Sequence, residues 1–190
     1  MFVILPTTIT PLPMKKLCLA ALLLCLALLP SACITEETTA APQDIVVPGD
    51  RLPPFAVVMH DGTTVSPATL AGRVAVIAFF TTACPDCRRE LPKLDELYRS
   101  YGPDSVAFVC ISREEGPADV AAYWHNEGLA LPYSAQTDRA VYNLFARGGV
   151  PRIYIADREG TVRLVYGEQG ASAGKLRADI DALCRGERIY

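Results

Sequence analysis

The chain has 190 residues, 51% hydrophobic and 21% charged, with a formal net charge of −3. This suits one compact domain of about 140 residues plus a separate N-terminal segment, with no need for a second core. The balance is more acidic still without Lys15 and Lys16, which excludes a nucleic-acid binder that relies on a basic face.

Residues 1–32 read as upstream residues plus an export signal. Met14-Lys15-Lys16 is the cationic start, Leu17 to Leu29 the apolar run, and Ser31-Ala32-Cys33 the small residues of a cleavage point. The run falls short of the roughly 20 residues a membrane helix needs. MFVILPTTITPLP fits no targeting pattern, so translation is expected to start at Met14. Leu29-Pro30-Ser31-Ala32-Cys33 resembles a bacterial lipobox, whose cysteine is lipidated and becomes the mature N-terminus. Pro30 stands where that motif usually has leucine, and plain secretion is the alternative. Residues 33–48 are Thr- and Ala-rich and aperiodic, as expected of a lipid-anchored flexible linker, which leaves 49–190 as the domain.

Within the domain, residues 55–59, the Asp61-Gly62 turn and Thr64–Val65 read as a hairpin, followed by a helical turn over 66–70. Val74–Phe80 is a continuous apolar run, the pattern of a strand buried on both faces. From Pro85 onward, Leu91, Leu94, Leu97 and Tyr98 recur at helical spacing, and Pro92 should kink that helix. A buried strand over 106–111 and a helix over 118–127 with Gly128 as its stop come next. A helix over 138–146 follows, with Thr137 as N-cap. Arg152–Ala156 and Val162–Tyr166 are strands around a turn, and 172–184 is an amphipathic helix. The order implies an α/β fold with a mixed sheet.

The chemistry concentrates in Thr81-Thr82-Ala83-Cys84-Pro85-Asp86-Cys87-Arg88-Arg89-Glu90-Leu91-Pro92. Residues three apart on a helix lie about 5–6 Å apart on one face, within the span a disulfide requires, so Cys84 and Cys87 can pair with little movement. At the start of a helix, Cys84 meets unpaired N–H groups and the positive end of the dipole, which favour a thiolate. Cys84 is therefore the expected nucleophile and Cys87 the resolving thiol. Pro85 suits the first helical turn, and Asp86 tempers the pull on Cys84 through its negative charge. A zinc site would need further ligands, and Cys110, Cys184, His60 and His125 are scattered. Plain packing is the remaining alternative, and it is the reading preferred for Cys110 and Cys184.

Phe79 to Cys87, the following helix with Pro92, and Gly149-Val150-Pro151-Arg152-Ile153-Tyr154-Ile155-Ala156-Asp157 together resemble the thioredoxin superfamily. The branch is that of TlpA/ResA-like extracytoplasmic thiol-disulfide oxidoreductases, and the resemblance covers roughly residues 48–184. It implies a thioredoxin-like fold, a central mixed sheet flanked by helices, with an N-terminal β-hairpin extension. It implies a cis bond at Val150-Pro151 facing the CxxC, with Val150, Pro151, Pro85 and Asp86 around the bound substrate. Glu90 matches the glutamate that ResA-like proteins use as proton acceptor; a solvated helix glutamate is the other reading. No cofactor is implied beyond the Cys84-Cys87 couple. The implied partners are protein thiols and disulfides, an unidentified redox partner, and a membrane reached through the lipid on Cys33. The expected setting is a monomer in the bacterial cell envelope facing the periplasm, with the outer membrane or cell surface as the alternative, acting as a reductase.

Two positions depart from the family pattern: Ala83 where tryptophan is common, and Ala78 where cytoplasmic thioredoxins carry a buried aspartate. Two other functions remain open. Thr81-Thr82-Ala83-Cys84 spells the peroxiredoxin TxxC, although Ile77 stands where that family has proline. The other is a copper- or peptide-binding module on the same scaffold.

Overall fold

The computed structural model describes residues 43–187 and 189; the expected export signal and Cys33 lie outside them. A two-stranded antiparallel hairpin, β1 (Val57–Val58) and β2 (Thr64–Val65), leads into the short helix α1 (Pro67–Leu70). The domain proper then runs β3 (Val74–Phe80), α2 (Pro85–Tyr98), β4 (Val106–Ser112), α3 (Pro117–Glu127), β5 (Tyr133–Ser134), α4 (Tyr142–Phe145), β6 (Arg152–Ala156), β7 (Val162–Tyr166) and α5 (Ala173–Cys184).

The five-stranded sheet has the order β5-β4-β3-β6-β7. Pairings β3–β4 and β4–β5 are parallel, and β3–β6 and β6–β7 are antiparallel. All seven residues of β3 and all seven of β4 are buried, as central strands covered on both faces must be. Successive side chains of a strand point to opposite faces, so the Phe79-Phe80 pair divides the core. Phe79 packs against Tyr142, Phe145 and Tyr154, with ring centroids 4.9–6.1 Å away. Phe80 packs against Trp124 of α3 at 4.9 Å. Helix α5 packs on α2 and on β3.

Most of the expected elements appear with their expected limits, and α2 runs unbroken through Pro92. Two expectations need correction, and one element was not foreseen. The helix expected over 138–146 is only Tyr142–Phe145, because the Asp138 carboxylate accepts the Ala140 N–H at 2.8 Å and its carbonyl accepts the Glu114 N–H at 3.3 Å. Those bonds hold residues 138–141 in a turn, and Thr137 caps nothing. Strand β5 was not anticipated, since two residues show no period. The end of the linker is not free: Ile45 and Val46 donate to the Phe145 carbonyl at 2.9 and 3.0 Å, and Asp44 bridges Ala146. Val46 is buried because this segment covers the Phe145 side of the core.

Asp95 anchors α2. Its carboxylate is buried and accepts the N–H groups of Ala130 and Leu131 at 2.6 and 3.0 Å, with Arg99 donating at 2.6 Å. Removing the acceptor strands backbone donors at a cost of about 1–3 kcal/mol each. Asp95→Ala should therefore lose roughly 3 kcal/mol in urea unfolding of the reduced protein, whereas Arg99→Ala, which removes an exposed partner, should lose under about 1 kcal/mol.

Candidate active site

Strand β3 ends at Phe80, and four residues later the chain enters α2. Cys84 is the N-cap residue, in extended backbone conformation (φ −80°, ψ 121°), and its side chain makes no capping bond. The sulfur is thus free to turn elsewhere. The Cys84 thiol donates to the Val150 carbonyl at 3.3 Å. Val150-Pro151 is a cis peptide bond immediately ahead of β6. The antiparallel β3–β6 register, Phe79 opposite Arg152, makes this meeting possible by bringing the end of one strand beside the start of the other.

Cys87 lies one turn inward and is completely buried, while Cys84 is half-buried; both are free thiols here. Burial pushes the Cys87 thiol far up from its ordinary range. The Thr81 backbone amide pulls it back down, the neighbouring Cys84 sulfur raises it further, and the Arg113 guanidinium lowers it. The pair is therefore unequal: one sulfur meets solvent and the Val150 carbonyl, and the other is held neutral beneath it.

The loop between β3 and α2 is fixed from below. The Glu115 carboxylate accepts the Thr82 N–H at 2.8 Å and the Thr82 hydroxyl, and Arg88 Nε donates to the Thr82 carbonyl at 2.6 Å. Glu115 follows Glu114, a non-glycine residue with φ +62°. Arg113, one residue earlier, donates to the Gly148 carbonyl at 3.1 Å, so the loop after β4 holds both halves of the site. Motif reading did not find Glu115 or Arg113, since neither has a local signature and both depend on β4 ending beside β3.

Among the residues singled out in the sequence, Pro85 is exposed on the rim, and Asp86 is half-buried and ion-paired with Arg89. Ala83 is exposed beside them. Glu90 is only 2% exposed and does not face solvent. Its carboxylate accepts Lys93 Nζ at 2.8 Å and the Ala171 N–H at 3.3 Å. Gly170 lies against it: a Cβ there would stand 2.5 Å from the carboxylate, and its φ is +62°. Cys110 is buried in β4 and pushed up by that burial, and Cys184 is half-buried on α5 and likewise raised. His60 stacks on Tyr133 at 4.6 Å, away from these groups.

An exposed-edge thiol at a helix start, a buried second thiol one turn on and an X-Pro carbonyl facing the first define a thioredoxin-like dithiol centre. The chain belongs to the AhpC/TSA family, which it matches over residues 48–165. It is 25% identical over 122 residues to the thiol-disulfide oxidoreductase ResA of Bacillus thuringiensis, covering 64% of this chain and 70% of that one. Identity to ResA of Bacillus subtilis is 23% over 122 residues, 64% and 68% of the two chains. A thiol:disulfide interchange protein of the thioredoxin family from Chlorobium tepidum superimposes with TM-score 0.63 at 25% identity, over 73% of this chain and 98% of that one. Within the thioredoxin superfamily the chain is thus a ResA/TlpA-like protein.

The unequal pair predicts unequal labelling. In the reduced protein at pH 7.5, iodoacetamide should modify Cys84 first, with Cys87 at least about tenfold slower, because only thiolates react and a raised pKa keeps Cys87 protonated. The sign also carries to stability. Above about pH 8.5, unfolded Cys87 ionises while folded Cys87 does not, so the reduced fold loses stability as pH rises. Cys87→Ala should make that loss less steep in chemical unfolding followed from pH 8 to 10.

Proposed function

We propose that this thiol-disulfide oxidoreductase reduces disulfides of other proteins outside the cytoplasm, tethered to a membrane by lipid on Cys33. The reading is carried by the Cys84 sulfur 3.3 Å from the Val150 carbonyl with Cys87 buried one turn behind it. An extended substrate segment that pairs with the Val150 backbone would lay its disulfide against Cys84. The Cys84 thiolate attacks one substrate sulfur, an enzyme–substrate mixed disulfide forms, and the other substrate sulfur leaves as a thiolate that takes up a proton. Cys87 then loses its proton and attacks the Cys84 sulfur. The substrate's second thiol departs, and two electrons have passed from the enzyme pair, now a Cys84-Cys87 disulfide, to the substrate.

Glu90 is the proposed acceptor for the Cys87 proton. It lies on the same helix three residues on, is removed from water, and has its charge balanced by Lys93. Export is supported by the signal-like residues 14–33. No helix among the described residues is long and apolar enough to cross a membrane. The TxxC at Thr81–Cys84 keeps a thiol peroxidase as the alternative.

Cys87→Ser should accumulate mixed disulfides with client proteins that dithiothreitol releases, and Cys84→Ala should accumulate none. An empty trap alongside rapid hydrogen peroxide consumption by the reduced parent would replace reduction with peroxidase activity. Glu90→Gln should slow resolution of the mixed disulfide by about tenfold or more near neutral pH and flatten its pH dependence. A pH–rate profile that superimposes on the parent's would remove Glu90 from the proton transfer.

A further inference from the structure

The two glycines ahead of Val150 are held by side chains from widely separated parts of the chain. Tyr142 Oη lies 2.7 Å from the Gly148 carbonyl and 2.9 Å from that of Gly149. Arg152 Nε donates to the Gly149 carbonyl at 3.1 Å, and the Gly149 N–H donates to Glu168 at 2.9 Å. Of these groups, Arg152 is the one whose own position needs explaining. It sits in β6 at 2% exposure, and a guanidinium so removed from water must be paired and hydrogen-bonded.

The partner comes from the N-terminal segment. Arg152 Nη1 donates to the Asp44 carboxylate at 2.5 Å and Nη2 to the Gln43 side-chain carbonyl at 2.8 Å. The same Asp44 oxygen accepts Tyr154 Oη at 2.9 Å. Glu168 is a more distant second carboxylate, 3.8 Å from Arg152 and about half exposed. The segment is itself docked, with the Arg147 N–H donating to the Gln43 carbonyl at 2.7 Å and Asp44 bridging Ala146. A Cβ on Gly148 would crowd the Arg152 guanidinium and the Gln43 side chain, which would have to give way.

We propose that Asp44 is a positioning residue for disulfide exchange. Through Arg152 it fixes the Gly149 carbonyl and so the adjacent Val150 carbonyl, the edge on which a substrate segment would pair. This rests on the protein-disulfide reduction proposed above. The residues that lead the chain into the domain thereby become part of the support of the substrate edge, although Asp44 touches neither cysteine.

The test compares full-length parent, Asp44→Asn, Asp44→Ala and Asp44→Glu, with insulin as disulfide substrate and dithiothreitol resetting the pair. Asp44→Ala should raise KM for insulin roughly tenfold with kcat within about twofold, Asp44→Asn should fall between it and the parent, and Asp44→Glu should recover part of the loss. Alkylation of Cys84 by iodoacetamide, which needs no substrate edge, should keep the parent's rate. A merely structural role would instead lower stability while leaving KM unchanged, and that result overturns the proposal, as does a fall in alkylation parallel to the rise in KM. If Asp44→Ala does not fold, Asp44→Asn, which keeps the volume and one acceptor, is read by the same criteria. A parent that reduces no insulin overturns both this proposal and the function it rests on, whereas a parent that reduces insulin as Asp44→Ala does overturns this proposal alone.

Discussion

The antiparallel pairing of β3 with β6 is the constraint from which the site follows. With Phe79 opposite Arg152, the chain that leaves β3 towards Cys84 passes beside the chain that enters β6 from Pro151. The parallel pairing of β3 with β4 ends at Phe80 opposite Ser112, so the residues after β4 emerge at the same edge of the sheet. Arg113 reaches the Gly148 carbonyl from there, and Glu115 reaches Thr82. A slip of one residue in either register would turn every side chain of the strand to the other face. Burial of all seven residues of β3 and of β4 penalises such a slip, so the core that stabilises the fold also sets the sulfur-to-carbonyl distance.

That edge concentrates polar groups where water is scarce; Arg113 Nε is buried there without a hydrogen-bond partner among the described residues, and the other groups are paired. Glu115 takes both donors of Thr82, Lys93 neutralises Glu90, and Asp44 with Gln43 satisfies Arg152. Breaking a buried pair by removing one partner is costly because the other is left uncompensated. The loops on each side of Cys84 are therefore held by interactions that resist adjustment, while the cysteine itself is left without a capping bond. Rigid surroundings, and a sulfur bonded to the Val150 carbonyl rather than to its own helix, keep the dithiol at a fixed geometry.

The sequence by itself discloses the central strands and the thiol motif, because both are local patterns. Seven consecutive apolar residues in Val74–Phe80, short, rich in Val, Ile and Phe and following Gly72, read as a buried strand, and a CxxC at a helix start carries its own chemistry. What it conceals is whatever depends on distant residues meeting. Nothing in Gly148-Gly149 tells what approaches them, and nothing in Gln43-Asp44 distinguishes it from the linker residues before it. The short α4 was hidden for a related reason: the helix-like run from 138 loses its first turn to Asp138, whose side chain captures a nearby N–H. Strand β5 exists only because β4 offers an edge at Cys110 and Ile111.

The two departures from the thioredoxin pattern acquire a physical sense in this setting. Ala78 is 3% exposed and lies between Cys110 and Ile153 in the sheet, surrounded by apolar strands. A carboxylate there would have no cation to balance it among those cross-strand partners. Glu90 occupies a different position, on α2, where Lys93 is within 2.8 Å and the Ala171 N–H supplies a further donor. A carboxylate so placed has a cation and a backbone donor beside it at low solvent exposure, as the acceptor proposed for the Cys87 proton would need. The exposed Ala83 leaves little bulk on the rim beside Cys84, so under the proposed function recognition would fall more heavily on the backbone edge at Val150. The more a substrate is held by that edge alone, the more its binding depends on the side chains that keep Gly148 and Gly149 in place.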